Sequence, residues 1–271
     1  GGLLTPFTLL LGVLSAIAGV ILLYRLFYGL GAVTNLNDGY PWGIWIAYDV
    51  VVGSAFACGG YSMALLVYIF NKGQYHPLVR PALLASLFGY TLAGVSVIFD
   101  LGRWWNFWHI FWPGYAQVNS VMFEVAVCIS AYIVVMWIEF SPAFLEKLGM
   151  KDVKQKLNKL LFFFIALGVL LPSMHQSSLG SLLVIFGQQI HPLWQSGWML
   201  PVIYLMTAIL LGFAVVIFEA TLSSTGFDRP LETKVLTPLS RIMFWLLAAY
   251  VAVRVLDLVF RGALGTAFAA T

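Results

Sequence analysis

The chain has 271 residues, 61% of them hydrophobic and 9% charged, with a net charge of +3 at pH 7. A soluble domain carries roughly a quarter charged residues, so this composition describes an integral membrane protein and excludes a soluble enzyme or a nucleic-acid-binding domain. Its two cysteines, Cys58 and Cys128, both lie in apolar runs. An iron–sulfur cluster takes about four thiolates, so none is expected in this chain.

Seven apolar runs are long enough for a ~30 Å hydrocarbon core, which takes roughly 20 helical residues. They lie at about 6–28, 42–70, 82–101, 117–139, 154–174, 201–220 and 241–261. The reading is an all-α, polytopic transmembrane helix bundle, with residues 1–271 forming a single transmembrane helical domain. The first run has no basic n-region or small-residue cleavage site and reads as a span rather than a cleavable leader. The second carries Gly53, Ala57, Gly60 and Ala64 on one face, spaced for close helix contact. The fifth opens amphipathically (VKQKLNKLL) and contains Pro172, which frees the carbonyl near Gly168 and bends the last turn. A polar turn is then expected, followed by Leu179–Gly187, a piece too short to span that reads as interfacial or re-entrant.

Let side A be the face where the first span starts. The loops returning there carry Lys72, Arg80, Lys147, Lys151, Lys154, Lys156, Lys159, Arg229, Lys234 and Arg241. Side B holds only Arg25, Arg103 and Arg261, with Arg254 inside the last span. Ten basic residues against three predict a cytoplasmic side A and a periplasmic side B in a bacterial inner membrane.

Side B also collects the ionisable groups. The stretch DLGRWWNFWHIFWPG, Asp100 to Gly114, ends the third span. Its tryptophans (Trp104, Trp105, Trp108, Trp112) suit a membrane–water boundary. Asp49 and Glu124 lie about two turns inside the second and fourth spans, and His175, followed by Gln176, is expected to end the fifth. Arg254 and Asp257 share one face of the seventh. An ionisable residue in a span costs free energy unless it has a partner or a role, so charge from five spans in one half of the membrane marks a pocket. Simpler readings stand beside this one. Arg254–Asp257 is as readily a neutralising pair, Asp100–Arg103 a helix-end ion pair, His175 a helix cap, and His109 and His191 ordinary loop residues.

Elimination narrows the chemistry, with an ion transporter still possible. Haem needs paired histidines at matched depth, and none of the four is placed mid-span, so no haem is expected. No span interior holds a lysine for a retinal Schiff base. An apolar, aromatic cleft with a few groups able to bond carbonyls and exchange protons suits a quinone, menaquinone or ubiquinone, as substrate. Asp100, His175, Glu124 and Asp49 are the expected reactive groups, and Arg103, Trp104, Trp45 and Gln176 the expected contacts, with no metal ligand. Ser130, Tyr132, Tyr61 and Ser62 lie between Glu124 and side A, where they either order a proton route or bond carbonyls of their own helices.

At GYPWGIWIAYDVVVGSAFACGG (Gly39–Gly60), FDLGRWW (Phe99–Trp105), NSVMFE (Asn119–Glu124) and PSMHQSSLGSL (Pro172–Leu182) the chain resembles the polysulfide reductase/NrfD-type membrane subunits. It is most similar to those that accompany periplasmic nickel–iron hydrogenases. The resemblance implies a helical bundle passing electrons from a periplasmic iron–sulfur subunit, beside the hydrogenase large and small subunits, to quinone at the periplasmic side, with proton translocation an open addition. It also places Asp49, Asp100, Glu124 and His175 near quinone or on a proton route. Family members carry eight to ten spans, so terminal helices beyond the seven are expected. The rival readings are a passive membrane anchor of an extrinsic redox enzyme and a proton or ion transporter.

Overall fold

The computed structural model describes residues 5–37, 47–187, 190–226 and 230–268. Among these residues there are seven helices long and apolar enough to cross a membrane, and no strand. They are α1 (Pro6–Tyr28), α2 (Tyr48–Ile69), α3 (Val79–Asp100), α4 (Val121–Lys147), α5 (Lys151–Ile185), α6 (Leu200–Gly226) and α7 (Thr233–Phe260). Each coincides with one of the apolar runs.

The largest difference from the sequence reading lies in α5. The expected turn after Pro172 and the separate piece Leu179–Gly187 do not form, and the helix continues unbroken to Ile185. Thirty-five residues at ~1.5 Å each reach about 50 Å, well beyond the hydrocarbon core. The excess is the lysine-rich start at side A. The polar run that reads as a turn stays helical because its side chains find partners. Ser177 donates to the Met174 carbonyl (2.8 Å), Ser181 donates to the Ser177 carbonyl (3.2 Å), and Gln176 turns into the bundle. Gly180 meets α6 edge-on, where an added Cβ would lie 2.5 Å from the Pro201 Cα. His175 is therefore deep inside a helix rather than at its end.

The second span is central and irregular. Its ends are π-helical (Ala47–Gly53 and Leu65–Ile69), and the α-helical pattern breaks at Ala57–Cys58. Its small residues make the close contacts that their spacing predicts. The Gly60 amide donates to Ser86 Oγ of α3 (2.6 Å), and a Cβ on Gly89 would stand 2.8 Å from that of Ala57. On the opposite side Gly212 of α6 leaves space for the Cys58 carbonyl.

Three apolar clusters run through the bundle. Met63, Leu66, Tyr75, Phe213 and Leu239 pack towards side A, and Cys58, Tyr61, Tyr90, Tyr132 and Met136 form the middle. Val125, Leu179 and Leu182 lie towards side B. Outward-facing leucines, valines and phenylalanines are left exposed for lipid. The first helix is apolar all round, and its one buried residue is Arg25.

Candidate functional site

Two of the polar regions in this apolar bundle hold most of the expected site residues, and α2 joins them. The first lies at side B. Arg25 points from α1 to the end of α3, where its Nη2 donates to the Leu101 carbonyl. Its Nε and Nη1 are enclosed and have no hydrogen-bond partner, and the same holds for Asp100 Oδ2 and Trp104 Nε1. Four enclosed donor and acceptor atoms without partners, contributed by three elements, are far from the usual state of buried polar groups. Asp100 is within electrostatic reach of both Arg25 and Asp49. Arg103 is exposed and makes no ion pair with Asp100, so the helix-end ion pair weighed from the sequence is not formed. Arg25, from a distant helix, supplies the cation instead.

The second region is wholly enclosed. His175 and Gln176 of α5 are buried against Ser54 and Cys58 of α2 and Tyr90 of α3. His175 Nδ1 lies 3.0 Å from the Leu171 carbonyl, which can only accept, so Nδ1 carries the proton. Nε2 is then an acceptor, 3.0 Å from the Tyr90 hydroxyl and 3.2 Å from Gln176 Nε2. Gln176 Nε2 also reaches Ser54 Oγ (3.1 Å), while Gln176 Oε1 has no partner. Tyr132 packs edge-on to Tyr90 with ring centroids 4.8 Å apart. Ser54 in turn donates to the Val50 carbonyl, beside Asp49, which brings α2 back to side B.

The remaining expected residues fall as follows. Glu124 is half-buried in the first turn of α4 and makes no hydrogen bond to either region. Trp45 lies outside the described residues. His109 stacks on Tyr115 at 4.0 Å, and His191 accepts from the Leu193 amide at 3.3 Å, so both are ordinary loop residues here. Asp257 Oδ2 bonds Arg261 (2.8 Å), Arg254 (3.3 Å) and Ser196 Oγ (2.7 Å), and both arginines also bond carbonyls between residues 192 and 195. That is the neutralising reading, widened into a clamp on the segment before α6. Of the hydroxyls, Ser130 donates to the Ala126 carbonyl and Ser62 to the Ile209 carbonyl, so neither is free for a proton route. Sequence reasoning missed Arg25, Tyr90 and Glu139. Only Glu139 left a usable signal, an acid in a run that remains apolar beyond it.

With this geometry in place, the family model for polysulphide reductase, NrfD, matches residues 32–270. The chain belongs to the NrfD family. It is 50% identical over 271 residues to the "Probable Ni/Fe-hydrogenase 2 b-type cytochrome subunit" of Escherichia coli K12, covering 99% of this chain and 69% of that protein. A Nitratidesulfovibrio vulgaris (Hildenborough) protein whose name states no activity is 35% identical over 94% of this chain and 67% of its own length. The menaquinone reductase integral membrane subunit of the same organism is 31% identical over 63% of this chain and 42% of its own. No solved structure matches. The family and the likeness to a hydrogenase-2 subunit agree with the resemblance seen in the motifs.

One expectation is overturned. The E. coli protein's name, b-type cytochrome, points to haem, and the exclusion of haem drawn from the sequence no longer stands. Tested against the NrfD bundle, haem finds no facing pair of free imidazoles among the described residues. His175 is the one buried histidine, and Tyr90, Gln176 and the Leu171 carbonyl occupy its ring nitrogens.

Proposed function

We propose that this NrfD-family chain is the quinone-reactive membrane subunit of a respiratory hydrogenase complex. Electrons arrive from a partner iron–sulfur subunit docked at side B, and quinone is reduced there. The observation that carries this is the set of unpartnered polar atoms at side B: Arg25 Nε and Nη1, Asp100 Oδ2 and Trp104 Nε1. Donors beside an acceptor, next to the exposed rings of Trp105 and Trp108, are what a quinone headgroup needs. Its carbonyl oxygens accept from the arginine and the indole, and its hydroxyls as quinol donate to the carboxylate. The E. coli and N. vulgaris relatives, named for hydrogenase 2 and menaquinone reductase, support the donor and the acceptor. The basic-residue count supports side B as the periplasm.

Protons taken from side A for quinol formation build a membrane potential, worth about 2.3 kcal/mol per charge per 100 mV. The buried Tyr90–His175–Gln176 group spans the middle of that route, and Glu124 lies on its side-B half. A passive anchor has no use for unpartnered buried charge, which disfavours that rival.

The test uses the purified complex with hydrogen as donor, comparing quinone reduction with reduction of a soluble dye that bypasses this subunit. Asp100→Asn and His175→Ala are expected to lower the first and spare the second. Quinone turnover within about twofold of the wild type, under roughly 0.5 kcal/mol of barrier, would contradict the assignment.

A further inference from the structure

A third polar feature lies at the opposite face. A cleft of about 360 Å³ lies among α2, α3, α4 and α5 at their side-A ends. Arg80, His76, Glu146 and Lys154 stand around it, with Glu146 and Lys154 paired at 2.9 Å, and Tyr68 and Asn158 line it further. Deeper in the cleft is Glu139, two turns of α4 inside its side-A end. It continues the inward stripe of Val125, Cys128, Tyr132 and Met136, so its carboxyl faces the bundle and not lipid.

Three observations mark Glu139 as more than a packing residue. Its Oε1 is enclosed and has no hydrogen-bond partner, and none of the nearby cations pairs with it. Space for it is made by Gly168 of α5, where an added Cβ would stand 2.5 Å from Oε1 and 3.5 Å from Oε2. The same glycine's carbonyl has no helical donor four residues on, because that residue is Pro172. A carboxyl and a freed carbonyl together offer acceptors for water or a hydrated proton. An acid inside a span with no ion-pair partner is a functional candidate by default.

Inward of Glu139 the polar groups continue. Tyr132 is seven residues back along α4 and packs against Tyr90 and His175. His175 is seven residues on from Gly168 along α5, a rise of about 10 Å. Between them the Tyr61 hydroxyl donates to Ser173 Oγ (2.8 Å), which in turn donates to the Val169 carbonyl (2.8 Å), so this pair is held in place and is not part of the route.

The geometry points to Glu139 as the residue that takes up protons from side A for the quinone chemistry at side B. This rests on the quinone reading above. A proton passes from water in the cleft to the Glu139 carboxylate, then inward past Tyr132 to the His175 group. Each quinone gains two electrons from the partner subunit and two protons drawn from side A, giving one quinol. Gly168 and Pro172 act as positioning residues, one by leaving space and the other by leaving a carbonyl free.

The experiment uses the whole complex in sodium-free liposomes, with a pH dye on side A and quinol formation followed in the same sample. In the wild type, side-A protons disappear as quinol forms. Glu139→Gln loses this uptake per quinol formed, and Glu139→Asp restores it. A second measurement needs no variant: dicyclohexylcarbodiimide, an apolar carboxyl reagent, labels Glu139 in the wild-type complex and abolishes the uptake. Failure of the wild type to form any quinol overturns the quinone reading itself. Quinol formation without side-A uptake, uptake that survives Glu139→Gln or the labelled carboxyl, or uptake that requires added sodium overturns the assignment of Glu139 and leaves the quinone reading standing.

Discussion

The Tyr90 hydroxyl lies 3.0 Å from His175 Nε2, joining α3 to α5 at the centre of the membrane. The same hydroxyl is 3.3 Å from Cys58 Sγ, so one phenol ties three helices together. Tyr90→Phe keeps the ring packing and removes the donor, leaving a buried imidazole nitrogen with only Gln176. Because Gln176 Nε2 still reaches that nitrogen, a loss of about 0.5–1.5 kcal/mol is expected, the net worth of one hydrogen bond. Thermal unfolding of the detergent-solubilised protein measures it, and an unchanged midpoint would show that the bond contributes nothing.

The close approach of α6 to α2 depends on Gly212. A Cβ there would stand 2.6 Å from the Cys58 carbonyl oxygen, which is backbone and cannot swing aside. Gly212→Ala is expected to cost roughly 1–3 kcal/mol by overpacking. Gly12→Ala, which meets nothing within 4 Å inside α1, is the control and should not lower the midpoint in the same melt.

Much of this bundle is legible in the sequence, because spans are long and apolar and the bilayer admits little else. The π-helical ends of α2 are not, since nothing in AYDVVVG or LLVYI distinguishes a π turn from an α turn. The end of α5 was obscured for a physical reason. Pro172, Gln176 to Ser178 and Gly180 resemble a stop signal, yet the polar side chains are bonded inward and the glycine admits α6. Asp100 could be singled out as an acid at a span end, but its nearby cation could not. Arg25 is 76 residues from the Leu101 carbonyl it bonds, and only tertiary packing brings them together.

The clamp around Asp257 makes a prediction about the loop before α6. Two arginines and Ser196 converge on one carboxylate that is mostly enclosed. Asp257→Asn leaves both guanidinium groups without their counter-charge, at a cost on the order of 2–4 kcal/mol. Hydrogen exchange at residues 190–197 should quicken markedly while exchange in the middle of α5 is unchanged. Equal protection in both proteins would mean that the carbonyl bonds alone hold the loop.

Orientation can be read with single cysteines, because Cys58 and Cys128 are both buried. Leu148 and Tyr115 are 71% and 63% exposed, at the side-A turn and in the tryptophan-rich loop. In intact cells an impermeant thiol reagent is expected to label Tyr115→Cys and to spare Leu148→Cys until the membrane is opened. The reverse pattern would move the proposed docking face for the partner subunit to the other compartment.

Density for a bound quinone analogue in the intact complex tests the central claim most directly. The headgroup is expected at side B, with its oxygens within hydrogen-bond distance of Arg25 and Trp104 Nε1 and close to Asp100. Density for the headgroup at the side-A cleft, or at side B without contact to Arg25, Asp100 or Trp104, would contradict the account.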